Sequence, residues 1–128
     1  DGWSSIVLNE HSTTRAQYGA SGLSWNNTLS QSSNSWAKGC SFKHSGGPYG
    51  ENLVYAFTTG YGLWVNESHN DPGFSEQTGH FTQVVWKSTT TIGCALVECP
   101  KGTILKDFAV DYLVCQYYPP GNVQGEFP

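Results

Sequence analysis

Four cysteines, at positions 40, 94, 99 and 115, constrain this chain more than any other feature. An even number of them in 128 residues, of which only 12% are charged, predicts two disulfides. A metal knuckle is the competing use. Cys94 and Cys99 are close enough for one, but no second close pair accompanies them. Four cysteines allow three pairings, and spacing alone does not choose among them. Disulfides belong to an oxidising compartment, so the chain reads as secreted and extracellular. It starts at Asp1 with no positively charged leader, as expected of a mature secreted form. Two glycosylation sequons agree with that setting, Asn26-Asn27-Thr28 and Asn66-Glu67-Ser68.

The length predicts a single domain over residues 1–128, large enough to bury about two-thirds of its unfolded surface. Six basic residues against ten acidic ones give a net charge of −4. No basic stripe is present, which argues against nucleic-acid binding. The nearest thing to one, Lys101 and Lys106, is followed at once by Asp107. No run of about 20 apolar residues exists, so no transmembrane helix is predicted. A monomer is expected.

The chain divides into a helical first half and a strand-rich second half. Ser4–Gln17 reads as a helix capped by Ser4 or Ser5, with Ile6, Val7 and Leu8 as its apolar surface and Gly19 and Gly22 beyond its end. Asn26–Lys38 reads as a second helix with Leu29 and Trp36 on one face. A Gly-rich loop follows, Lys43-His44-Ser45-Gly46-Gly47-Pro48-Tyr49-Gly50. Glu51–Ala56 and Tyr61–Ser68 read as short helical pieces, and 70–79 as a loop. Phe81–Lys87, Ile92–Val97 and Val110–Tyr117 are rich in β-branched and aromatic residues and read as strands. Helices first and strands later, with short connections, predict an α+β layered fold whose sheet is mostly antiparallel.

Three places carry residues able to do chemistry: His44 ahead of Gly50-Glu51-Asn52, Glu67 behind Trp64, and His80. Imidazoles and carboxylates are the natural set for a divalent cation or for acid–base work. His44 and His80, 36 positions apart, match no short zinc spacing, and on spacing alone each is better read as a hydrogen-bonding loop residue. There is no Gly-x-Ser-x-Gly elbow and no phosphate loop, and the committed cysteines leave no thiol nucleophile.

Longer motifs say more. Gly79-His80-Phe81-Thr82-Gln83-Val84-Val85-Trp86-Lys87-Ser88-Thr89 resembles the first signature of the CAP superfamily, and 112–123 resembles the second. Leu8-Asn9-Glu10-His11 with Arg15, Leu23-Ser24-Trp25, and His44-Ser45 with Tyr49-Gly50-Glu51-Asn52-Leu53 resemble its remaining landmarks, in order. The run from His44 to Asn52 is most similar to the fungal, sterol-exporting branch, with plant pathogenesis-related 1 proteins next.

The resemblance implies a three-layer α-β-α sandwich with two disulfides, Cys40 with Cys99 and Cys94 with Cys115. It implies a cleft lined by His44, Glu51, Glu67 and His80, in which His44 and His80 bind zinc or another divalent cation. It implies a small lipid ligand, a fatty acid or a sterol. Tyr55, Phe57, Tyr61, Leu63, Trp64 and Phe74 are the candidate lipid-binding residues. The stretch 68–74 is shorter than the aromatic loop that contacts sterol in the yeast relatives, which favours a fatty acid held between helices. The implied function is a secreted lipid-binding protein acting in host interaction or defence, with no catalytic residue assigned. The alternatives are a metal-dependent hydrolase using the His/Glu cleft and the precursor of a C-terminal signalling peptide.

Overall fold

The computed structural model describes residues 2–56 and 79–122, the side chains of 2, 56 and 79–81 apart. Helix α1 spans Gly2–Gln17, strand β1 Ser24–Trp25, helix α2 Asn27–Ala37, strand β2 Gly50–Ala56, helix α3 Gly79–Val84, strand β3 Thr91–Cys99 and strand β4 Val110–Tyr118. The strands form one sheet in the order β1-β3-β4-β2. β3/β4 and β4/β2 are antiparallel, whereas β1 runs parallel to β3 over two residues.

β4 is an inner strand of this sheet, and its residues 112–117 are all buried. Alternate side chains leave a strand on opposite faces. Leu113, Cys115 and Tyr117 therefore enter a core shared with Val7 and Leu8 of α1 and Val84 of α3. Tyr112 and Val114 enter a second core with Trp36 and Ala37 of α2. Helices thus cover both faces of the sheet, giving the α-β-α sandwich. Each face receives apolar side chains, so Tyr112 to Cys115 reads as a continuous apolar run rather than an alternating one.

α1 begins before Ser4 and Ser5, so neither serine caps it, and Ile6 is 57% exposed while Val7 and Leu8 pack on the core. Gly19, at φ +78°, closes its C-terminus, where Ala20 N–H donates to the Arg15 carbonyl at 2.9 Å. α2 is capped by Asn26, whose Oδ1 accepts from the Thr28 and Leu29 amides. α2 lies directly on β3. A Cβ on Gly93 would come within 2.2 Å of the Ser30 nitrogen, and the Ser33 hydroxyl donates to the Gly93 carbonyl at 2.9 Å.

Two segments depart from expectation. Residues 51–56 form a strand, not a helical piece: Leu53 and Tyr55 face the α2 core and Val54 the α1 core, a period of two that sequence hides because both sets are apolar. The segment read as a strand, 81–87, is instead the end of α3 and a turn. Among the described residues no strand pairs with it. The fully buried Arg15 takes two of its carbonyls, donating to Val84 and Trp86 from one nitrogen at 3.0 and 2.9 Å, and from another donates at 3.0 Å to Thr89, just beyond it.

The cysteines form Cys40–Cys99 and Cys94–Cys115, and no described cysteine is free for a metal knuckle. Cys94 and Cys115 are direct register partners in β3 and β4. Cys40 ties the end of α2 to the end of β3.

Candidate functional site

The loop from Gly39 to Tyr49 is held in place before it reaches β2. The Cys40 bridge fixes its start. Tyr112 Oη donates to the Ser41 carbonyl at 2.8 Å, and Trp36 Nε1 donates to the Lys43 carbonyl at 2.9 Å. Gly46, at φ +77°, makes the turn that brings Ser45 back over the first residues of β2. His44 and Glu51 consequently meet.

Glu51 is the hub of the cleft. Its Oε1 accepts from His44 Nδ1 and from the Ser45 amide, both at 2.9 Å. Its Oε2 accepts from the Ser45 hydroxyl and from Gln116 Nε2, both at 2.8 Å. Gln116 is its register partner on β4. A carboxylate offers about four lone-pair sites, and these bonds fill them. Burial alone would raise the Glu51 carboxyl, but the bonds from His44, Ser45 and Gln116 outweigh it and hold the pKa below the ordinary value. The bond to Glu51 raises the His44 imidazole above its ordinary value, against the effect of burial. The His44 side chain is 64% exposed, against 6% for Glu51.

Gln83 builds the opposite wall of this cleft of about 240 Å³. Its Oε1 accepts from the Gly121 amide at 3.0 Å and its Nε2 donates to Thr89 Oγ1 at 3.2 Å. A Cβ on Gly50 would lie 2.2 Å from Gln83 Oε1, and one on Gly121 would lie 2.7 Å from Gln83 Nε2. A larger residue at either position would push the end of the Gln83 side chain out of its hydrogen bonds. The side chain of Gln83 thus packs against the start of β2 while it is bonded to the segment after β4.

Of the residues expected in the cleft, His44 and Glu51 are brought together. His80 lies in α3, but its side chain is outside the described residues, and so is Glu67. Of the lipid-binding candidates, Tyr55 packs edge-on against Phe42 at 4.8 Å, within the core on the α2 side. Phe57, Tyr61, Leu63, Trp64 and Phe74 lie outside the described residues. Among the described residues no three His, Cys, Asp or Glu side chains converge to hold a metal. His44 nevertheless has the outer hydrogen bond that orients an imidazole ligand, with Nδ1 on a carboxylate and Nε2 on the other side of the ring. Glu51 fits the role of that orienting group and not of a ligand.

Sequence reading did not find the polar partners Ser45, Gln116 and Gln83. It also missed a second buried chain, in which Asn52 Nδ2 donates to Tyr117 Oη at 3.2 Å and Tyr117 Oη lies 2.8 Å from His11 Nε2. His11 Nδ1 lies 3.0 Å from the Val7 carbonyl. A neutral ring protonated at Nδ1 satisfies both contacts. Register is the signal that would have revealed Gln116, since Glu51 and Gln116 are opposite only once β2 is a strand.

The sequence profile of the CAP cysteine-rich secretory protein family matches residues 8–117. The chain is a CAP protein. Saccharomyces cerevisiae Protein PRY2 is 43% identical over 98% of this CAP chain, which spans 40% of PRY2. Pathogenesis-related protein PR-1 of Medicago truncatula is 38% identical, with 89% of this chain and 72% of that protein covered. The crystal structure of hookworm platelet inhibitor superposes with a TM-score of 0.78 at 21% identity, covering 99% of this CAP chain and 74% of the other, and shares its fold.

Proposed function

We propose that this CAP domain is a secreted module that binds a small lipid, and that its His/Glu cleft binds rather than hydrolyses. The saturated Glu51 carboxylate carries the choice between binding and catalysis. A general base needs a free lone pair and a pKa near the working pH. Glu51 has its acceptor sites filled and its pKa moved the other way. Two disulfides and the family match support secretion. The fungal-type motifs support a lipid ligand, and the short 68–74 stretch favours an acyl chain over a sterol. Each methylene buried in an apolar groove contributes about 0.8 kcal/mol, so about ten of them outweigh the cost of ordering the chain.

Competition between radiolabelled palmitate and cholesterol, with native mass spectrometry of the secreted protein, tests this. Saturable palmitate binding stronger than cholesterol binding is expected. Binding of neither lipid would sink the reading. A second reading, a divalent cation at His44 Nε2 with His80 as co-ligand, draws support from the Nδ1–Glu51 bond. Zn²⁺ calorimetry should then show binding near pH 7.5 that is lost in His80→Ala.

A further inference from the structure

Of the two sequons, Asn26-Asn27-Thr28 lies among the described residues. Asn26 is half-exposed, and Asn27 and Thr28 are exposed. The backbone of Asn26 is used up inside the fold: its N–H donates to the Ile92 carbonyl at 2.8 Å and its carbonyl accepts from the Ser30 amide at 3.0 Å. Its side-chain Oδ1 accepts from the Thr28 amide at 2.8 Å and the Leu29 amide at 3.2 Å. The amide nitrogen Nδ2 takes part in none of these bonds. The side chain therefore spends its acceptor on the fold and leaves its nitrogen out of it.

We propose that Asn26 is an N-glycosylation site. In the transfer, a bond forms between Nδ2 and C1 of a sugar carried on a polyprenyl pyrophosphate. The C1–O bond to phosphate breaks, the polyprenyl pyrophosphate leaves with the electron pair, and Nδ2 gives up one of its two protons to a carboxylate base of the transferase. The amide carbonyl is untouched. A glycosylated Asn26 keeps the Oδ1 acceptor that caps α2, so modification and fold are compatible. Thr28 supplies the sequon hydroxyl from an exposed position where the cap uses only its backbone N–H.

For its setting in the cell the proposal rests on the secretory reading above. The test separates the two by expressing the chain behind a supplied secretion leader in a yeast host. Ser68→Ala clears the second sequon. That variant should reach the medium with a glycan that a peptide glycoamidase removes, leaving Asp at position 26. Adding Thr28→Ala, or Asn26→Asp with the cap acceptor retained, should abolish the glycan while the helical circular dichroism stays the same. A secreted Ser68→Ala protein without glycan at Asn26 overturns the proposal. The secretory reading fails separately, if protein from the natural source carries reduced cysteines.

Discussion

His11 is a histidine that the fold requires to be neutral. Burial pushes its pKa down to about 4, Arg15 adds to the depression, and the bond to the Val7 carbonyl opposes it. The unfolded ring titrates near 6.5. Below that pH the unfolded state takes up a proton that the folded state refuses. The stabilisation is complete above pH 6.5 and is lost as pH falls towards 4, amounting to about 3 kcal/mol. Glu51, with a lowered pKa, adds its loss below its ordinary 4.5. His44, with a raised pKa, contributes below 6.5 and loses that contribution as pH rises through its folded value. Its exposure keeps the contribution small. Urea unfolding should therefore show a midpoint that falls between pH 6.5 and 4.5, and His11→Gln should flatten that fall. A wild-type midpoint unchanged across the window would contradict a buried neutral ring.

At the scale of the element, how much was legible depended on where the information sits. α1 and α2 were readable from apolar positions that share a face, Leu29 with Trp36 in α2, and from Gly19 beyond the end of α1. The caps were not: Ser4 and Ser5 lie inside α1, and the Asn26 cap showed only in the structure. β3 and β4 were readable from dense β-branched and aromatic residues. β2 was not, because Leu53, Val54 and Tyr55 face opposite cores and are all apolar, which hides the period of two, while Glu51 and Asn52 before them carry no strand preference. The 81–87 segment was misread because Arg15, some 70 residues away, decides its backbone's partners. In the cleft, His44 and Glu51 were visible through motif likeness, while Gln116 depended on strand register. Gly93 is the sharpest test of how α2 sits. A methyl there meets the backbone of α2 at 2.2 and 2.6 Å, and backbone cannot rotate away. Gly93→Ala should cost about 2 kcal/mol or more, read as a lower urea midpoint, with the disulfides still formed. A cost near zero would mean that α2 shifts freely on the sheet.

For the molecule as a whole, the two bridges act over different spans. Cys40–Cys99 encloses 59 residues of separation and Cys94–Cys115 encloses 21. In the chain-entropy account they contribute about 4 and about 3 kcal/mol. Replacing both members of the first pair by Ser should lower the unfolding temperature more than replacing both members of the second. The reverse order would show that strain or residual structure in the unfolded chain outweighs loop length.

The same two bridges also overlap along the chain: one spans 40 to 99 and the other 94 to 115. Any single backbone cut between Cys40 and Cys115 therefore falls inside at least one closed covalent ring. The severed pieces cannot diffuse apart. A cut between β2 and β3 leaves the amino-terminal piece holding β2 and the carboxy-terminal piece holding its partner β4, tethered at the effective concentration of an intramolecular pair. One nick there converts the domain into two covalently joined chains that between them still hold all four described strands of the sheet.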